Sequence, residues 1–552
     1  MNQPTLPELP VWQRVRRYAV PPSMIEAVAA ARAEGDWRAG CAAGRIDVDL
    51  DLAEVRRTHG ARQADLIEAD LNALAPDLLR WHLPRVLGGR TSLATHHDWL
   101  LSTREGRIGG DDALLVLRTP KTVDGSQRLR LEVRAAVEAN PGWPDLPPVF
   151  WSAEHVAGLR EAYGGTPQRM PGFEADGSVR PFTVYPTQVD PADAATRTEV
   201  FDRLLAAGDP VGAWAAAGVD LDATPPEGRR RHYLAGGLIG QALPVGLAAE
   251  LTRLRERYDL DRLVIRHDTQ PVAEVRHEPH GVAARLLDYD RQHYHAPVLA
   301  GPVYSRPADL ELIRRGLLDP AELHPLVRGV LFPAVAAEPV RDRIDLHRDV
   351  PVRCRGEWHT LRHADGRLDP TSHPPEEVRR EQLLGGLGGQ VAGCLSAVAA
   401  WRGSTDHLPR PLKQLRREVL LRIQHGGTAA LAALLDAGLD PRMGDGRGGT
   451  LLHHVRSLDD AALIGRLADA GVPVDARDRR KRTALHVAAG DGASPEMVRA
   501  LLEAGADPTV EDENGYGAIE VAGWKVEMYE EDDEEPPGPR LILQILEEWM
   551  ER

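Results

Sequence analysis

Residues 450–453 read Thr-Leu-Leu-His and residues 483–486 read Thr-Ala-Leu-His, a recurrence at a step of 33. Other positions share the step: Ala437-Gly438, Ala470-Gly471 and Ala504-Gly505 recur at 33 and then 34, as do Asp445, Asp478 and Asp512. A fixed period of this length is one helix–turn–helix–loop unit, apolar on both stacking faces. Such a unit cannot bury those faces alone, so the recurrence commits the C-terminal quarter of the chain to a stacked array.

The fullest unit is 483–512, with Thr483, Leu485, His486, Ala488, Ala489, Val498, Leu501, Leu502, Ala504 and Gly505. Residues 450–478 keep Thr450, Leu452, His453, Leu463, Leu467, Ala470 and Gly471, but carry Val455-Arg456 where the Ala-Ala pair stands. One step earlier, Arg417, Val419 and Leu420 replace Thr, Leu and His, while Leu431, Leu434 and Leu435 still supply a second helix. An array end whose first helix has turned Arg-rich reads as a cap. The fourth unit starts at Asn514-Gly515 and is degenerate, with Gly517, Ile519 and Glu520 in the motif positions. Ile542, Ile545 and Leu546 match Val498, Leu501 and Leu502 at a step of 44, so a segment is inserted. It holds Glu527, Glu530, Glu531, Asp532, Asp533, Glu534 and Glu535 before Pro536-Pro537. It reads as an acidic loop between the two helices of the capping unit, or as a plain solvated linker.

These residues resemble the ankyrin-repeat family over about 417–552. The resemblance implies an all-α solenoid that binds protein partners and rarely does chemistry. It gives Thr450, His453, Thr483 and His486 a structural role, bonded to each other and to the adjacent loop. Gly471 and Gly505 supply the left-handed backbone after each second helix. In such arrays function sits on the loop tips. The tip Arg477-Asp478-Arg479-Arg480-Lys481-Arg482 is five-sixths basic within an acidic region. With Asp445 and Arg447 of the preceding tip it forms the candidate partner-binding set, and a solvated turn facing the acidic insert is the competing reading. A patch this short without aromatics does not point to nucleic acid.

Composition narrows the class. A chain of 552 residues fills two to four domains, and 42% hydrophobic with 27% charged residues describes a globular protein. No apolar run approaches the ~18–20 residues of a membrane span, and the start, with Pro4, Pro7 and Pro10, lacks a signal pattern. Cys41, Cys354 and Cys394 are scattered and form no Cys-x-x-Cys pair, which reads as buried packing in a reducing compartment. The expected location is the cytoplasm. Four Lys among 67 basic residues point to a GC-rich bacterial genome. The net charge is −16, nine of it from Arg410 onward, and this repels phosphate backbones.

The rest of the chain reads as α+β and mainly helical. Expected regions are an N-terminal α+β region over 1–165, a mainly helical region with short strands over 196–410, and the array over 417–552. Nine Gly and Pro residues within 164–195 mark the first boundary. Residues 113–118 and 128–134 read as antiparallel strands, the second alternating Leu129, Leu131 and Val133 with charge. Short strands are expected at 262–266, 271–276, 350–355 and 358–362. One long helix is expected over 374–401, with Gly385, Gly386, Gly388 and Gly389 inside it. Gly35-Asp36 ahead of Cys41-Ala42-Ala43-Gly44 echoes Gly208-Asp209 ahead of Ala215-Ala216-Ala217-Gly218. Both look like the end of a repeat helix pair, which raises the alternative of one continuous helical solenoid.

Polar constellations give no reaction. His277, Glu278, His280, Asp288, Asp290, Arg291, His293, Tyr294 and His295 are the richest cluster. Pro279 argues against a helix there, while a strand would set His293 and His295 on one face. No His-Glu-x-x-His, Gly-Lys-Ser/Thr or Gly-x-Ser-x-Gly occurs. The sequence therefore assigns no catalytic residue, cofactor or metal. It points to an interaction scaffold or regulatory adaptor, with an unidentified protein as partner and neither nucleic acid nor membrane. The alternative is a hydrolase or metal-dependent enzyme within 85–410, with the array as its targeting arm.

Overall fold

The computed structural model describes residues 7–138, 142–227, 236–267, 270–288, 291–336, 344–387, 393–403, 407–530 and 537–551. Contacts divide the chain into two compact units: one holds residues 1–123 and 128–340, the other 341–552 with 124–127.

The first unit contains one module built twice. In the first copy α1 (Pro22–Ala33) and α2 (Trp37–Ala43) lead into β1 (Ile46–Asp49). Strands β2 (Asp98–Leu101), β3 (Ala113–Arg118) and β4 (Leu129–Ala135) follow as an antiparallel meander. In the second, α3 (Ala195–Ala206), α4 (Pro210–Ala216) and β5 (Val219–Asp222) lead to β6 (Arg262–His267), β7 (Gln270–Glu278) and β8 (Gly281–Leu286). The sheet orders are β1-β4-β3-β2 and β5-β8-β7-β6. In each, the first strand runs parallel to the last. Helix, helix and strand are offset by the same 173 residues, Pro22 answering to Ala195, Trp37 to Pro210 and Ile46 to Val219.

The local chemistry of the two copies matches. Gly35 and Gly208 take φ +70° and +82° to leave one helix. Asp36 and Asp209 then cap the next, accepting from the amides of Ala39 and Gly212 at 2.9 and 2.8 Å. The echo in the sequence is real, but each helix pair turns into a sheet strand. The chain is therefore not one continuous helical solenoid. Leu129 and Leu131 point into the core while Arg128 and Arg130 pair with Asp47 and Asp49 on the wet face.

This unit also buries charge. Asp202 and Arg306 are fully buried and 2.7 Å apart, and Arg314 reaches the second Asp202 oxygen at 3.3 Å. Glu311 lies 3.6 Å from Arg306. Removing one member of such a set leaves a buried charge without compensation, which costs about 3–5 kcal/mol. We expect Asp202→Ala to lower the unfolding free energy of this unit by that amount in denaturant titrations, and Asp202→Asn by less.

The second unit starts with a three-stranded meander of order β11-β10-β9: β9 (Val350–Cys354), β10 (Glu357–Ala364) and β11 (Arg367–Pro370). Its turns are Arg355-Gly356 and Asp365-Gly366, all four with positive φ, the geometry that two-residue hairpins favour. The expected helix over 374–401 is two helices, α5 (Pro375–Gly386) and α6 (Cys394–Trp401). Gly388 and Gly389 lie outside the described residues. Gly393, at φ +66°, starts α6, and a Cβ there would strike the Cys354 sulfur.

The array follows. α7 (Arg410–Asp436) is broken at Gly427 (φ +60°, ψ −142°), so it supplies both helices of the first pair. A 3-10 helix, Leu451–Ser457, stands where the sequence departs from Ala-Ala, and α8 (Ala462–Asp469) completes that unit. α9 (Ala484–Gly490) and α10 (Pro495–Glu503) form the next, and α11 (Ala518–Glu530) and α12 (Pro537–Met550) the last. Ile542, Ile545 and Leu546 are buried, as their match to Val498, Leu501 and Leu502 requires. Glu527 and Glu530 belong to α11, so the acidic segment begins within a helix and not in a loop. Residues Glu531–Glu535 and Pro536 lie outside the described residues. One apolar core runs from Val352, Leu361 and Trp401 through Leu412 and Leu431 to Leu485 and Leu546. The meander thus covers the first end of the array, and Gly444 N–H donates to Trp401 O at 2.8 Å.

Candidate functional site

Three tight tips project from the array at 445–449, 478–482 and 512–516. Each is closed by its first residue's amide donating to its last carbonyl at 2.9 Å: Asp445 to Gly449, Asp478 to Arg482, Asp512 to Tyr516. The Asp side chain then accepts two further amides of its own tip. Asp445 takes Arg447 and Gly449 at 2.6 and 2.9 Å, and Asp478 takes Arg480 and Arg482 at 2.8 and 2.9 Å. Asp512 takes Asn514 and Tyr516. Partial burial works against the charge of Asp478, but the amides and guanidinium of Arg482 hold its carboxyl below the usual range. Neighbouring tips are stitched together, Arg479 N–H to Arg447 O at 3.0 Å and Glu513 N–H to Arg480 O at 2.9 Å.

Behind the tips, one imidazole per unit links it to the next. Thr450 N–H donates to His453 Nδ1 at 3.0 Å, so the ring proton sits on Nε2, which donates to Arg482 O at 3.0 Å. The same construction joins Thr483 N–H to His486 Nδ1 at 3.2 Å and His486 Nε2 to Tyr516 O at 3.0 Å. Thr450 and Thr483 each complete a capping box with the following His. Gly471 and Gly505 have φ +82° and +93° just beyond α8 and α10.

The partner-binding candidates therefore fall into two groups. Asp445 and Arg482 are spent on tip geometry: Arg482 grips Asp478 with Nε and Nη2 at 3.0 and 2.9 Å. Arg447, Arg477, Arg479, Arg480 and Lys481 are exposed. Among the described residues Arg479, Arg480 and Lys481 form no side-chain ion pair, and Lys481 holds the left-handed turn position at φ +57°. The neighbouring tip presents exposed Glu511 and Glu513. It also presents Tyr516, which packs edge-to-face on Trp524 at 4.2 Å and remains 38% exposed.

The histidines near 277–295 do not converge. His277 closes β7 with its ring 3.3 Å from Arg255, and His293 and His295 lie in a 3-10 turn (Arg291–His295), so they do not share a strand face. Asp290 lies outside the described residues. A different group comes together: Cys354, His359, His373 and Cys394 place one ligand atom each within 4.8 Å of one another. Burial, with the Cys354 sulfur beside it, pushes the Cys394 thiol up to about 12. Sequence spacing hides this set, because the four residues belong to four separate segments: β9, β10, the turn before α5, and α6. The signal was Cys354 and His359 bracketing a hairpin turn.

Residues 467–522 match the family model described as "Ankyrin repeats (many copies)", and this segment is an ankyrin-repeat array. The chain is also similar to the E3 ubiquitin-protein ligase KEG of Arabidopsis thaliana, 33% identical over 106 residues. That match covers 19% of this chain and 6% of the plant protein. No described helix is long and apolar enough to cross a membrane.

Two adjacent imidazoles, His453 and His454, make the array acid-sensitive. Burial lowers the pKa of His453, and burial with Arg456 nearby lowers His454 to about 4. The unfolded rings take up protons near 6.5 and the folded ones do not, so the unfolded state binds more protons as pH falls. We expect the denaturation midpoint of the second unit to drop between about pH 6.5 and pH 4. Replacing His454 with Asn should shrink that drop in urea titrations run across this window.

Proposed function

We propose that this protein is a scaffold or regulatory adaptor that recruits a protein partner through its ankyrin array. The single observation that carries the reading is the basic tip. Arg477, Arg479, Arg480 and Lys481 stand exposed on a turn whose backbone is fixed by Asp478 and by both neighbouring tips. A rigid tip loses little entropy on binding, so its charges serve recognition directly. Arg447 extends the positive surface on one side, while Glu511, Glu513 and the Tyr516–Trp524 pair border it on the other. The matching partner carries carboxylates opposite 477–481 and an apolar or cationic feature opposite Tyr516. Exposed aromatics of this kind anchor interfaces. The similarity to a ubiquitin ligase supports the binding mode of the repeats and no ligation chemistry, since so little of that protein is matched. The cytoplasm and a bacterial source remain part of this reading.

The triple charge reversal Arg479→Glu, Arg480→Glu, Lys481→Glu tests it. Full-length protein should lose its partner in pull-downs by tenfold or more, since opposed charges cost several kcal/mol, while circular dichroism and melting stay unchanged. Wild-type capture should weaken as salt rises. Equal capture by the reversed variant would move the interface away from this tip.

A further inference from the structure

We propose that Cys354, His359, His373 and Cys394 form a structural tetrahedral zinc site that pins the meander to its two helices and so holds the cap on the array. The donor set is two thiols and two imidazoles, the composition that selects zinc in closed sites. All four ligand atoms lie within 4.8 Å of one another. Zinc bonds of ~2.0–2.3 Å imply tetrahedron edges of ~3.3–3.8 Å, so the set needs only a small adjustment to close on the ion.

The side chains are already aimed. His359 Nδ1 and His373 Nε2 face each other at 2.7 Å. The other nitrogen of His373, Nδ1, lies 3.2 Å from the Glu377 carboxylate, and His359 Nε2 lies 3.8 Å from Glu357. A carboxylate behind a ligating imidazole fixes its tautomer and strengthens it as a ligand. Cys354 and Cys394 are 3% and 0% exposed. Gly393, at φ +66°, lets α6 start against the Cys354 sulfur, where a Cβ would collide. The glycine makes the approach of the two sulfurs possible.

Binding is a ligand exchange with simple proton balance. Both thiols release their protons to solvent and coordinate as thiolates, both imidazoles coordinate neutral, and the two negative charges offset the dication. Four protein ligands leave no open position, so the site has no place for a reactive water and its role is structural. The ligands come from the end of β9, the start of β10, the turn before α5 and the first residue of α6. A module this small buries little core and gains from such a staple.

Full-length protein purified under reducing conditions without chelator should carry about one zinc per chain by elemental analysis. Cys354→Ser and Cys394→Ser should each reduce that to below about one tenth, with His373→Ala intermediate or lower. Cys41→Ser and His293→Ala should retain it. Cobalt(II) replacing zinc in the wild type should show the intense visible bands of tetrahedral coordination and thiolate charge transfer, a readout independent of whether the variants fold. Chelation should lower the melting transition of the second unit and leave the first unchanged. Less than about one tenth of an equivalent of zinc in protein expressed with zinc supplied would overturn the proposal, as would retention of zinc by Cys394→Ser. A Cys354–Cys394 disulfide found in peptides of the freshly isolated protein would overturn it equally.

Discussion

The array depends on one hydrogen bond repeated: a neutral imidazole that accepts from its own unit and donates to the next. His453 and His486 each use Nδ1 for the preceding Thr amide and Nε2 for a carbonyl about thirty residues away. The acceptor on one ring nitrogen fixes the proton on the other, so the contact between units has a defined direction. Apolar stacking of Leu485, Val498 and Leu501 supplies most of the driving force, but that force is non-directional. The imidazole and the Asp-closed tips set the register in which the stacking occurs.

That register is what makes the tips into a surface. Asp445, Asp478 and Asp512 consume their carboxylates on their own turns, so the turns are stiff and evenly spaced. Charge at 477–481 is then presented by backbone that these hydrogen bonds tie to its own turn and to the neighbouring tips. An array has two open ends, and each must be covered. The last helix pair covers one, and the meander with Trp401 covers the other. The cap at the first end is small, and its four convergent sulfur and nitrogen ligands lie where a staple is most useful.

The first unit follows a different logic. Its two copies share helix caps, sheet order and a common offset of 173 residues, so one supersecondary solution was used twice. Only the helix-pair end of the module shows in the letters, because the glycine exit and aspartate cap depend on residue type, whereas a strand asks only for alternation. The same looseness explains why the echo suggested further helices. Nothing local in Ala-Gly distinguishes a chain entering a loop from one entering a parallel strand.

Much of the molecule was legible in its residues. The period of 33, the Thr-x-Leu-His boxes and the positive-φ glycines fix the array, because each is a short-range requirement of backbone geometry or capping. Alternation of Leu129, Leu131 and Val133 fixed a half-buried strand for the same reason. The break at Gly393 and the helical start of the acidic segment were decided by packing. The cysteine–histidine cluster belongs wholly to tertiary structure. Cys354 and Cys394 are separated by forty positions, and only the closure of the meander onto α6 brings their sulfurs together. Sequence determines what each segment can be. Which distant side chains meet is settled by burial, since that depends on how all segments fill one core.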